Sequence, residues 1–152
     1  MLPTPKKVKL VAAGAEGPSP LNAFDNALLR AGIGNLNLIR VSSILPPGCV
    51  HEAAFPVPPG SLTPTAYGYL LSSEPGQEIA AAIGVGFCEE DYGVIMEFEG
   101  CCPQGEAEER VAQMVRDGFT ARGKRLRDLK VLAAAHRVLR QGAVLAAAVL
   151  WY

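Results

Sequence analysis

Few side chains in this sequence are placed to do chemistry. Four cysteines stand at 49, 88, 101 and 102, and two histidines at 51 and 136. Adjacent Cys101 and Cys102 cannot form an ordinary disulfide, and no Cys-x-x-Cys pair occurs. Cys49-Val-His51 is an isolated pair, short of the ligand count a metal site needs. These residues therefore read as free thiols in a reducing compartment, with no metal. No Gly-x-Ser-x-Gly, phosphate-binding loop or His-Glu-x-x-His is present, and Gly32-x-Gly34 follows a helix and precedes a strand, the wrong order for a nucleotide loop. The lysines, at 6, 7, 9, 124 and 130, lie near the ends or in a charged run, which gives a pyridoxal group no evident anchor. Two carboxylates are unusually placed. Glu97 sits inside the apolar run Val94-Ile-Met-Glu-Phe98, and Asp25 lies between Leu21 and Leu28 on a helix. A carboxylate in such a setting is either at a wet margin or paired.

The elements that position these residues follow from periodicity. Lys7 to Ala13 reads as a strand ended by Gly14 and Gly17. Ser19 is an N-cap with Pro20 at the first helical position, and the helix runs to Ala31 and stops at Gly32. On it Leu21, Phe24, Leu28 and Ala31 share one face, with Asn22, Asn26 and Arg30 opposite. Asn35 to Val41 alternates as a strand with neither face cleanly polar. Residues 46–64 carry six prolines and two glycines and read as a long irregular connection. Thr65–Leu71, Glu78–Phe87 and Gly93–Phe98 read as strands parted by turns at Glu74-Pro-Gly76 and Glu89-Glu-Asp91. Gln104 to Arg122 is a helix whose stripe is Ala107, Val111, Met114, Val115 and Phe119. Lys130–Val138 and Ala143–Trp151 read as strands despite their alanine runs, because they are short and broken by Gly142. About seven strands and two one-faced helices make a layered α+β protein in one domain, 1–152.

The whole chain sets further bounds. Its 152 residues suffice to bury a core, with 49% hydrophobic and 19% charged residues. A net charge of −1 argues against nucleic acid as a partner. No apolar run has the length of a membrane span, and the N-terminus lacks the apolar segment of a secretory signal, so the expected location is cytoplasmic. Charge is uneven: residues 1–42 carry five cations and two anions, and 43–152 carry nine and thirteen.

Four segments in order carry a resemblance: Pro20-Leu-Asn-Ala-Phe-Asp25; Gly32-Ile-Gly-Asn-Leu-Asn-Leu-Ile-Arg40-Val-Ser-Ser43-Ile-Leu-Pro-Pro47; Pro64-Thr-Ala-Tyr-Gly-Tyr69; and Val94-Ile-Met-Glu-Phe-Glu-Gly100. With the closing Ala-Val-Leu-Trp-Tyr152 they resemble the pyruvoyl-dependent arginine decarboxylases, from about residue 7 to the end. Ser72-Ser73, followed by Glu-Pro, lacks this context and is given no role.

The resemblance implies a four-layer αββα sandwich and self-cleavage between Ser42 and Ser43, giving a β chain, 1–42, and an α chain, 43–152. Ser43 Oγ attacks the Ser42 carbonyl, the ester eliminates, and hydrolysis leaves a pyruvoyl group in place of Ser43. Asn37 matches the oxyanion donor of that step. The pyruvoyl ketone then forms a Schiff base with the α-amine of arginine and accepts electrons as CO₂ leaves, giving agmatine for polyamine synthesis. Glu97 matches the proton donor, with Glu99 ranked second. Asp25 receives the guanidinium, with Leu21 and Leu28 along the methylene stem. The implied assembly is a homotrimer of αβ protomers with active sites between neighbours. Two rivals stay open: a pyruvoyl enzyme for another amino acid such as aspartate, and an uncleaved trimeric binding protein.

Overall fold

The computed structural model describes residues 2–152. The elements in chain order are β1 (Lys7–Glu16), α1 (Pro20–Arg30), β2 (Asn37–Arg40), β3 (Ile44–Leu45), β4 (Val50–His51), β5 (Leu62–Ser72), β6 (Glu78–Cys88), β7 (Asp91–Gly100), α2 (Gln104–Ala121), β8 (Asp128–Arg137) and β9 (Gly142–Trp151). They form a five-stranded sheet, β2-β5-β9-β1-β4, and a four-stranded sheet, β3-β7-β6-β8.

The alanine-rich stretches explain the layering. Strand β9 is buried on both faces, and β6 nearly so. The two inner faces meet in a core that includes Val8, Ala66, Ile83, Val85, Ile95, Ala146 and Ala148. On the outer face of the five-stranded sheet, Ala143, Leu145, Ala147 and Val149 receive α1 through Ala23 and Ala27. On the outer face of the other, Ala80, Ala82, Val94 and Ala133 receive α2 through Ala107, Val111, Val115 and Phe119. The order is helix, sheet, sheet, helix, in an α+β protein. Small side chains let the layers approach closely enough to exclude water.

Several expectations need correcting. The strand expected at Lys7–Ala13 runs on to Glu16, because β9 pairs with it along its whole length, from Lys7↔Trp151 to Glu16↔Gly142. Among the described residues there are nine strands, since Ile44–Leu45 and Val50–His51 pair briefly with β7 and β1 respectively. Two residues are too few to leave a period in the sequence. The irregular segment ends earlier than expected, at Leu62, where β5 begins alongside β2 in parallel. Ser19 caps α1, accepting from the Asn22 N–H at 3.1 Å, and Gly32 ends it with φ +82°. The helix meets the sheet through Ala23 and Ala27, however, and Leu21 is 76% exposed.

The Pro-rich connection is strapped to β1. Phe55 is buried, with its carbonyl accepting from Lys9 Nζ at 2.8 Å and its ring beneath Lys7 and Lys9.

Candidate active site

The two sheets have edges on the same side, and the chain crosses from one to the other at the serine pair. Strand β2 is the edge of the first sheet, and β3 the edge of the second. Val41 still donates to the Thr65 carbonyl at 3.1 Å, whereas the Ser43 carbonyl already accepts from the Ile95 N–H at 2.7 Å. Stacked sheets lie about 10 Å apart, and three extended residues span about the same distance, so Val41 to Ser43 have little slack. The Ser42–Ser43 peptide lies in this crossover, with Ser42 exposed and Ser43 half-buried.

Glu97 is two residues beyond Ile95 on β7, so it faces the same side, toward the inter-sheet core. There it meets Gly68 of β5. A methyl group at Gly68 would stand 3.0 Å from Glu97 Cβ and 2.8 Å from Glu99 Oε2, so only glycine leaves room for both acids. Burial raises the Glu97 carboxyl above the ordinary range; the Arg40 charge pulls it down, and the Glu99 charge adds to the rise. Arg40 lies 4.0 Å from Glu97. Ser43, Glu97 and Glu99 thus share one end of the inter-sheet space.

The other expected site residues lie elsewhere in the protomer. The Asn37 side chain donates to the Gly60 carbonyl at 2.9 Å and is exposed. Five residue steps along the chain, up to about 16 Å when extended, separate it from Ser42. Asp25 is exposed on α1, on the outer face of the sheet whose inner face meets Glu97. Leu28 is half-buried beside it.

Cys49 belongs to the inter-sheet core, where burial raises its thiol to about 11, so it is an inert packing group. All four cysteines are free. The second serine pair has a turn role: Ser72 Oγ accepts from the Glu74 N–H at 3.2 Å.

No sequence pattern singles out Arg40, Tyr67 or Gly68. Their signals were there: a cation ending the strand before the serine pair, and a glycine between two tyrosines. Neither indicates a partner until β5 and β7 are seen face to face.

An acid held between two sheets beside a strand crossover is the setting of a small-molecule enzyme site. Residues 7–152 match the family described as pyruvoyl-dependent arginine decarboxylase, and the chain belongs to that family. It is 49% identical over 150 residues to the pyruvoyl-dependent arginine decarboxylase of Methanocaldococcus jannaschii, covering 97% of this chain and 91% of that protein. The proteins of the same name from Pyrococcus abyssi and Pyrococcus horikoshii are 46% and 45% identical over 152 residues, each covering 98% of this chain and 96% of the relative. No helix among the described residues is long and apolar enough to cross a membrane.

Proposed function

We propose that this chain decarboxylates L-arginine to agmatine and CO₂, using a pyruvoyl group that it makes from Ser43. The observation that carries this reading is the pairing of β3 with β7, which anchors the Ser43 carbonyl on Ile95 and leaves Glu97 two residues further along the same face.

Self-cleavage needs a β-hydroxyl next to a peptide carbonyl, which Ser42-Ser43 supplies. Ser43 Oγ bonds to the Ser42 carbonyl carbon as the peptide C–N bond breaks, giving an ester. Loss of the Ser43 Cα proton then breaks the Cβ–O bond and frees Ser42 as a carboxylate. Water replaces the remaining α-amino nitrogen, which leaves as ammonia. The anchored Ser43 carbonyl and the half-buried position of residue 43 suit such a group. When present, its ketone binds the substrate amine and takes up the electrons of the breaking C–C bond.

The chain's own residues do the rest. Glu97, whose protonated form burial favours, gives its proton to the carbon that lost CO₂. Asp25 binds the guanidinium, with Leu21 and Leu28 along the stem. In one protomer Asp25 and Glu97 lie on opposite faces of a sheet, which supports a homotrimer of αβ protomers with sites between neighbours. Asn37 is the oxyanion donor of the self-cleavage step. A reducing cytoplasm suits the four free thiols.

The test is intact mass on a denatured sample, followed by CO₂ release from arginine, lysine and aspartate. Two chains, of residues 1–42 and 43–152, with arginine preferred, are expected. One chain of full mass in an active sample overturns self-cleavage. Preference for aspartate overturns only the substrate.

A further inference from the structure

This inference rests on Glu97 as the proton donor of the proposed reaction. Arg40 ends β2, but its neighbour β5 continues to Ser72. Past that point β5 has a free edge, and Arg40 occupies it. Its Nη2 donates to the Tyr67 carbonyl at 2.7 Å, and its Cζ lies 4.7 Å from the Tyr67 ring centroid. The same Nη2 is 4.0 Å from Glu97 Oε1. The guanidinium therefore has three attachments: a carbonyl, an aromatic face and a carboxylate. An arginine free in water loses rotamer entropy when it pairs with an acid, and such pairs contribute little. Here the carbonyl and the ring, both fixed by the sheet, have already oriented the guanidinium, so the contact with Glu97 needs little further ordering.

We propose that Arg40 is a positioning residue for the decarboxylation: its guanidinium, fixed on Tyr67, holds the Glu97 carboxyl over Gly68 beside residue 43. Arg40 belongs to the 1–42 chain and Glu97 to the 43–152 chain, so the contact also ties the acid to the piece that carries the cut end.

The groups around Glu97 limit what else could set its titration. On its own strand the charged neighbour is Glu99, which opposes ionisation. Across from it β5 presents Gly68, and β6 pairs Ile83 with it, so neither adds a charge there. Arg110 of α2 lies over the Phe98 ring, on the other face of β7. Arg40 is thus the cation in position to act.

The test uses the unmodified chain, Arg40→Met and Arg40→Lys, labelled with carboxyl-¹³C glutamate. The Glu97 signal, assigned by its loss in Glu97→Gln, is followed against pH. An opposite charge favours the ionised carboxylate, so its removal in Arg40→Met should move the Glu97 titration to higher pH. Arg40→Lys should bring it most of the way back. The kcat per pyruvoyl-bearing chain should fall by about tenfold to a hundredfold in Arg40→Met, with KM for arginine nearly unchanged. Its alkaline limb should move up with the NMR titration.

An identical Glu97 titration in all three proteins overturns the proposal. So does an equal loss of kcat in both variants with an unmoved alkaline limb, because that is the signature of packing alone. The titration needs neither cleavage nor turnover and can be repeated in a Ser43→Ala background. If Glu97→Gln keeps full turnover, the proton-donor reading fails, and this is seen separately from the Arg40–Glu97 coupling.

Discussion

The proposed mechanism divides the chemistry between Glu97 and Ser43, and single substitutions should separate their roles. Ser43→Ala removes the only atom that can attack the Ser42 carbonyl from the adjoining residue. Intact mass should then give one folded chain with no CO₂ release. Glu97→Gln should still be cut into two chains yet lose turnover by about a hundredfold or more, since an amide cannot deliver the proton. A Glu97→Gln protein that decarboxylates at the full rate would move the donor to Glu99. The pH dependence follows from the upward displacement of Glu97, caused first by burial, with Arg40 opposing it and Glu99 adding to it. The protonated form is the active one, so kcat should hold above the ordinary carboxylate range and fall as pH rises through the displaced value. At this scale the sequence was legible where the wording was distinctive: the serine pair before Ile-Leu-Pro-Pro, and the acid inside an apolar strand. Arg40 and Gly68 were not, because their meaning lies in a contact between strands more than twenty-five residues apart in the chain, which no local pattern encodes.

Two elements, one at the site and one in the supporting fold, each have a weak point that can be tested. The first is the β5–β7 face. Gly68→Ala would place a methyl 3.0 Å from Glu97 Cβ, so β5 must shift or the acid must turn away. Stability should fall by about 1–3 kcal/mol, as for other overpacked positions, and kcat should fall with the fold retained. Circular dichroism and CO₂ release on the same sample check both. The second is the turn between β8 and β9, which Glu16 at the end of β1 gathers up. Its carboxylate accepts from the Leu139, Arg140 and Gln141 N–H groups at 3.2, 2.8 and 3.1 Å, and pairs with His136 Nε2 at 2.6 Å. Burial alone would raise this carboxyl, but His136 and the three backbone donors outweigh it and lower it to about 2. A carboxyl lowered on folding stabilises the fold above its unfolded value. Its contribution should therefore be complete above about 4.5 and disappear as the pH falls to about 2. Glu16→Gln should cost about 2 kcal/mol at neutral pH in denaturant unfolding, with the gap closing toward pH 2. Strands such as β6 and β9 were readable because turns bounded them. Their alanine runs mark strands because the small faces seat two sheets and two helices. The two-residue strands β3 and β4 exist only through their partners, and the exposure of Leu21 depends on which side of α1 the sheet takes up, which a helical period leaves open between adjacent faces.

At the scale of the whole molecule, the proposed cleavage would not free the 1–42 piece. Strand β1 lies between β9 and β4, with ten paired positions along β9, and α1 covers the outer face of the same sheet. The two products should co-migrate in native conditions and part only in denaturant. The more demanding question is where the two ends of the substrate are held. Within one chain Glu97 faces the inter-sheet core and Asp25 the far side of the first sheet, so one arginine engaged by both needs a second copy. Asp25→Asn should be cleaved normally and lose arginine turnover, because an unpaired guanidinium in a site that excludes water costs several kcal/mol, about 3–5 if fully buried. Glu97→Gln should be equally inactive for a different reason. Co-expressing the two then discriminates between arrangements. If each site takes Asp25 from one protomer and Glu97 from the next, random assembly of a cyclic trimer leaves about a quarter of the sites with both native residues. The mixture should regain about a quarter of the unmodified kcat, at the unmodified KM. If one protomer supplies both residues, every site in the mixture carries one defect, and no activity should return. CO₂ release from the whole co-expressed population, with uniform and mixed trimers left unseparated, decides between them.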